Sequence, residues 1–224
     1  ALSASTTASE GTAVGVEAAK DNTTGAHIAA FGYKALTNNT TGDSNTACGH
    51  QALENCTTGS DNTALGQGTF PILSTGSNNT AIGHDAGGSG VGNVQSSSNN
   101  ICLGNNSVTD AYIKVDWTVT SDKRDKADIT PFTAGLSWIN KLNPVTFKWD
   151  MRSDYEDGRT PDGTHKKNRL NLGLLAQDEL EVEKEHGFGN STDTMLVTNI
   201  DDGGGYGMQY AKLVPILINA VKEL

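Results

Sequence analysis

The chain has 224 residues, a formal net charge of −10, 35% hydrophobic residues and 6% aromatics, so apolar material is scarce for one globule of this length. Lys20, Lys34 and Lys114 are the only three of its sixteen basic residues before residue 121, and acidic residues outnumber basic ones on both sides, which leaves no basic face for nucleic acid. No run approaches the roughly 18–20 apolar residues of a membrane span, and the first residues lack a basic stretch followed by an apolar core.

The shift in composition predicts a boundary near residue 120, with a Gly/Thr/Asn-rich repeat domain over 1–120 and a mixed α/β domain over 121–224. The start at Ala1 and the abrupt stop at Glu223-Leu224 read as a piece of a longer protein. Three cysteines, Cys48, Cys56 and Cys102, form no pair with metal-ligand spacing and read as reduced apolar fillers; no metal or other cofactor is expected.

Glycines recur every seventeen residues at Gly15, Gly32, Gly49, Gly66 and Gly83, and a second series, Gly25, Gly42, Gly59 and Gly76, keeps the same period. The unit is roughly N-T-A-x-G-x-x-A-L, as in Asn45 to Leu53. A repeat this short is one rung of a solenoid. The small and apolar residues just before each first glycine, such as Ala47-Cys48 and Ala64-Leu65, suit a strand of three or four residues. The glycines and Asn are expected at corners with positive φ, and stacked Asn and Thr can ladder between rungs.

One rung cannot offset about 1–2 kcal/mol of backbone entropy per residue with two or three modest side chains. Neighbouring rungs, and three chains packed around an axis, would supply the rest. Over residues 11 to 107 the rungs resemble those of trimeric β-roll heads of bacterial adhesins and of phage tail fibres. The period breaks between Gly87 and Ser98, where four extra residues enter, and this reads as an insertion ending the solenoid. His50 and His84 follow equivalent glycines two rungs apart and read as solvent-facing. Asn22, Asn38, Asn39, Asn55 and Asn78 match the glycosylation sequon as by-products of the repeat. Ala111 to Val119 then alternates like a strand.

Ser121-Asp122-Lys123-Arg124-Asp125-Lys126 forms the seam between the halves. A Lys whose pKa is lowered can take a Ser hydroxyl proton, which makes a nucleophile and base pair without His. The spacing alone is weak evidence. The S-D-x-R-x-K start, then Ile129, Leu136, Leu142, Pro144, Val145, Phe147 and Trp149, then Gly173-Leu174-Leu175-Ala176-Gln177, and Tyr210 before a Leu-rich helix, resemble the intramolecular chaperone autoprocessing domain of phage tail fibres, tailspikes and endosialidases.

That resemblance implies a homotrimer whose C-terminal domain guides folding of the preceding β-structure and then cuts itself off, as a single-turnover serine endopeptidase. It implies cleavage between Thr120 and Ser121, with Ser121 as nucleophile, Lys126 as general base, and Asp122 and Arg124 in supporting roles. It places the chain in a virion tail fibre or spike, assembled in the host cytoplasm, with a host-surface receptor or glycan as a further partner.

In the second half, Thr130 reads as the N-cap of a helix carrying Leu136, Ile139 and Leu142. Val145, Phe147 and Trp149 and then Leu170, Leu172 and Leu174 read as strands, with a projecting polar loop from Asp150 to Asn168 between them. An acidic helix over 178–186 closed by Gly187 follows, then strands at 195–200 and 206–210 around a turn at Asp201 to Gly205. The final helix places Leu213, Leu217, Ala220 and Leu224 at coiled-coil spacing. The expected fold is therefore a mainly β N-terminal half, a trimeric 17-residue-repeat β-solenoid or β-roll, followed by an α+β domain ending in a helix. Two rivals stand beside a self-cleaving fibre tip: a receptor-binding fibre with a non-cleaving trimerisation domain, and a trimeric adhesin head.

Overall fold

A computed structural model describes residues 10–88, 92–155, 160–202 and 204–224. Part of the inserted glycine run (Ser89 to Val91), Gly158 of the predicted polar loop and Gly203 of the predicted turn lie outside the described residues. The chain divides into two compact units. One takes the described residues of Ala1–Val108, Trp149–Lys167 and Ile200–Gly205; the other takes Thr109–Lys148, Asn168–Asn199 and Tyr206–Leu224. Among the described residues no helix is long and apolar enough to cross a membrane.

The first unit is built on a parallel solenoid. Six three-residue strands, β1 Thr12–Val14, β2 Ala29–Phe31, β3 Thr46–Cys48, β4 Thr63–Leu65, β5 Thr80–Ile82 and β6 Ile101–Leu103, form one sheet in sequence order. Each strand pairs in parallel with the equivalent residues of the next, so Ala13, Ala30, Ala47, Ala64, Ala81 and Cys102 stack in one inward column. The insertion before β6 keeps this register, pairing Ala81 with Cys102. The core is a stack of small side chains around Leu36, Leu53, Phe70 and Leu73, all fully buried.

The two glycine series do different jobs, which corrects the expectation that both supply positive φ. Gly15, Gly32, Gly49 and Gly66 do sit at φ +131 to +146. Gly25, Gly42 and Gly59 do not; a methyl on any of them would overlap the carbonyl oxygen of the glycine one rung on, because rungs stack at about the 4.8 Å strand spacing. Most left-handed corners fall instead on residues with side chains. His27, Ser44, Asp61 and Asn78 form one such column (φ 55 to 58), and the buried Leu36, Leu53 and Phe70 form another (φ 51 to 53). The second column is held in a costly conformation by its packing.

Two buried asparagine columns hand work from one to the other. Asn22 and Asn39 donate through Nδ2 to the carbonyls of Gly25 and Gly42, at 2.9 and 3.0 Å. The next residues in that column are Cys56, Leu73 and Val94, and there a second column takes over. Asn45 and Asn62 donate to Gly59 and Gly76 at 2.7 and 2.9 Å, and each Oδ1 also accepts the backbone N–H of the Asn one rung on. Thr40 and Thr57 hydroxyls add a ladder to the next rung's carbonyls at 3.0 and 3.1 Å.

The second unit is α+β. Its core is Trp138, Val182, Val197, Leu213 and Ile216, with Phe132, Phe188 and Met208 against it. The predicted helix from Thr130 is only α1 Leu136–Ile139. It starts after Gly135, whose backbone (φ −137, ψ −99) is not helical; that residue lies against the last helix, where a methyl would come within 2.6 Å of the Ala220 nitrogen. β7 Val145–Phe147 pairs antiparallel with β8 Asn171–Gly173, and Leu170 and Leu172 are exposed. α2 Ala176–Glu185 ends at Gly187 with φ +85, as the sequence suggested. β9 Thr198–Ile200 and β10 Tyr206–Met208 form a second small sheet.

In α3 Leu213–Glu223, the predicted seam of Leu213, Leu217, Ala220 and Leu224 is divided between two faces. Leu213, Ile216 and Ala220 bury into the unit, while Val214, Leu217, Val221 and Leu224 are 46–94% exposed in three-four-three steps. A one-residue shift separates the stripe that packs inward from the stripe left free.

Candidate functional site

The seam folds as one tight turn. Lys123–Asp125 is a 3-10 helix, and its N-cap, Asp122, accepts the Arg124 N–H at 2.9 Å. Asp122 also receives Arg124 in a forked ion pair, Nε at 3.1 Å from both oxygens and Nη2 at 2.6 Å from Oδ2. The guanidinium and the Arg124 N–H hold the Asp122 carboxyl below the usual carboxylate range.

Extended backbone at Asp122 and Lys126 flanks the turn, and the ends of the segment come together. Lys126 Nζ lies 2.6 Å from Ser121 Oγ. Both side chains are exposed, as is Thr120, whose carbonyl joins Ser121. All four residues singled out in the seam thus occupy one turn: Ser121 meets Lys126, and Asp122 meets Arg124, which locks the turn between them.

Residues 121–188 match the family described as Chaperone of endosialidase. This family is one of autoproteolytic intramolecular chaperones. No curated protein and no solved structure matches the chain. The matched residues run from the Ser121 turn through α1, β7, β8 and α2 to Phe188, and they explain two features of the resemblance. Gly173 opens the Gly173-to-Gln177 motif because a methyl there would meet the Tyr210 hydroxyl at 2.7 Å. Tyr210 in turn accepts the Leu174 N–H at 3.0 Å, tying β8 to the start of α3.

Two groups escaped the sequence reading. In the second unit, the fully buried Glu183 accepts the N–H groups of Leu196, Val197 and Thr198 at 3.0, 2.8 and 2.7 Å. Beside it Glu179 accepts Trp138 Nε1 at 2.7 Å, and burial raises the Glu179 carboxyl above its ordinary range against that hydrogen bond. Acidic residues on a short polar helix gave no sequence signal that two would turn inward.

In the first unit, Asp202 Oδ2 accepts three successive N–H groups of the inserted rung, from Gln95, Ser96 and Ser97 at 3.0, 3.0 and 2.8 Å. Asp201 Oδ2 accepts the Asn93 N–H at 3.3 Å. Partial burial pulls the Asp202 carboxyl upward, but the three N–H groups outweigh it and hold it below the usual range. The sequence marked both segments, one as a turn and one as an insertion, without relating them. The predicted polar loop also belongs to this unit: Asn106 Nδ2 donates to Ser153 Oγ at 2.8 Å.

Proposed function

We propose that this chain is the tip of a homotrimeric phage-type tail fibre or spike, whose C-terminal domain assembles the solenoid and then cuts the Thr120–Ser121 bond. The observation that carries this reading is the 2.6 Å contact between Lys126 Nζ and Ser121 Oγ, on the residue that follows the bond to be broken.

The chemistry follows from that adjacency. With Lys126 neutral, Nζ takes the hydroxyl proton as Oγ attacks the carbonyl carbon of Thr120. The C–N bond to Ser121 breaks and the proton passes to the leaving amine. Water then opens the resulting ester, leaving a carboxylate on Thr120 and a free amine and hydroxyl on Ser121. The forked Asp122–Arg124 pair supports the chemistry by fixing the turn; neither residue is required to exchange a proton.

Three copies of the exposed α3 stripe supply a trimer seam in this reading. The fibre tip carries the host-surface receptor or glycan contact, and the assembled protein resides in the virion after folding in the host cytoplasm. Asp201 and Asp202 join the C-terminal fragment to the last rung, so they retain it on the solenoid after the cut.

Intact mass of the expressed protein, alone and with Ser121→Ala or Lys126→Ala, tests the cut. Wild type should yield two fragments broken at Thr120–Ser121, Ser121→Ala should stay whole, and Lys126→Ala should slow cleavage by about 100-fold or more. A wild-type chain that trimerises yet stays whole overturns the protease and leaves a non-cleaving trimerisation domain. Fragments from Ser121→Ala would remove Ser121 from the mechanism.

A further inference from the structure

Each three-residue strand of the solenoid points its middle residue inward and its outer two away from the core. The outward residues stack into two columns. One is Thr12, Ala29, Thr46, Thr63, Thr80 and Ile101; the other is Val14, Phe31, Cys48, Leu65, Ile82 and Leu103. Neither contains a charged residue at any of the six rungs, whereas the turns between strands carry Glu17, Asp43, Glu54, Asp61 and Asp85.

The second column is largely unsheltered. Val14, Phe31, Leu65, Ile82 and Leu103 are 57, 41, 49, 45 and 53% exposed, and Ile101 beside them is 75% exposed. The stripe is about 24 Å tall at the ~4.8 Å strand spacing. It leaves on the order of 500 Å² of apolar side chain in water per chain, near the top of what monomers leave open, and about three times that over three chains reaches the size of a standard interface.

We infer that this sheet face is the contact between copies of the chain, with β1 to β6 of each chain lining the axis of the assembly. The occupant follows from the repetition. About an axis parallel to the stacking direction, each rung meets the same rung of its neighbours, so every residue in the column faces its own copies. Apolar residues suit that arrangement, and a charge there would face its own sign at every contact. A dissimilar partner imposes no such rule, and nothing about it requires one chemistry over five consecutive rung steps.

This inference rests on the trimeric reading above and assigns it a surface. Cys48 provides the probe, since it lies in the outward column and is exposed. Cys56 and Cys102 are buried, and burial pushes the Cys56 thiol up to about 11, which keeps both out of the reaction. The full chain is sized by sedimentation, then oxidised with copper phenanthroline or bridged with a short bis-maleimide and run on a denaturing gel.

Close packing at the axis should link Cys48 in pairs, so that about two thirds of the chains run as dimers and the unpaired third stays single. Cys48→Ser should abolish the dimer band. Thr58→Cys in a Cys48→Ser background, exposed on the part of the rung away from the strand, should not restore it. A trimer without Cys48 dimers, or with equal dimers through residue 58, overturns the assigned face and leaves trimerisation standing. A monomer by sedimentation removes the trimeric reading itself.

Discussion

The exchange between the two asparagine columns can be tested by moving it one rung. The Gly42 carbonyl takes its hydrogen bond from Asn39 at 3.0 Å, whereas Gly59 and Gly76 take theirs from Asn45 and Asn62. In the second column the residue before Asn45 is Ile28, which is 2% exposed and offers neither a donor for Gly42 nor an acceptor for the Asn45 N–H. Asn39→Leu alone should leave the Gly42 carbonyl and the Asn22 Oδ1 buried without their donor. Each such group costs about 1–3 kcal/mol, offset by the added apolar contact and by loss of Asn39 Oδ1, itself buried without a partner, so the net loss should be about 2 kcal/mol.

Ile28→Asn alone replaces a buried aliphatic side chain by an amide and should cost about 2–5 kcal/mol. Combining the two reproduces the pattern of the next rung, with the amide introduced in place of Ile28 serving Gly42 and the leucine introduced in place of Asn39 stacking on Cys56. The double variant should then recover about 2 kcal/mol relative to the sum of the singles. The cycle is measured on full chains carrying Ser121→Ala, by denaturant midpoints, or by unfolding rates where unfolding is irreversible. Additivity within about 0.5 kcal/mol would show that the columns do not share one function.

Three further outcomes follow. Gly42→Ala should prevent the solenoid from closing, giving insoluble protein or a loss of β signal in circular dichroism, whereas Gly163→Ala, with open space at its Cβ position, should cost only the backbone strain of its φ of +95, about 1–3 kcal/mol, and leave the solenoid folded. Asp202 has its carboxyl held low, so its contribution should be fully present above the unfolded value of about 3.9 and disappear as pH falls through the lower folded value. Asp202→Asn should lose about 1 kcal/mol at pH 7 and flatten that acid limb, read as amide exchange at residues 95–97. Val221→Glu, on the 70% exposed side of α3, should leave the fold of the second unit intact while weakening self-association in sedimentation.

The solenoid was legible because its period is written in side chains that cannot be exchanged: a residue under a glycine series must repeat at every rung. The left-handed corners were less legible. Leu36, Leu53 and Phe70 are poor residues for positive φ, and only burial in the finished stack holds them there. The cap signal at Thr130 opens no helix: the backbone at Gly135, packed on α3, is not helical, and the helix runs only from Leu136. The one-residue displacement of the α3 stripe has a similar origin. A helix with apolar residues at both 213 and 214 and again at 220 and 221 admits two seams, and only tertiary packing chooses which faces inward.

The seam marks the limit of reading chemistry from spacing. In an α-helix, residues five apart differ by about 140° around the axis and point to different sides. In a strand the same odd spacing puts them on opposite faces about 17 Å apart along the chain. Ser121 and Lys126 can meet only if the four residues between them reverse direction, and this is what Asp122 accomplishes by capping Lys123–Asp125 and holding Arg124. The S-D-x-R-x-K pattern therefore carries two kinds of information. Its outer residues supply a hydroxyl and an amine, and its inner acidic and basic pair supplies the turn that brings them to 2.6 Å. Asp122→Ala should accordingly separate Ser121 from Lys126 while both remain present, a loss that neither outer residue's identity would explain.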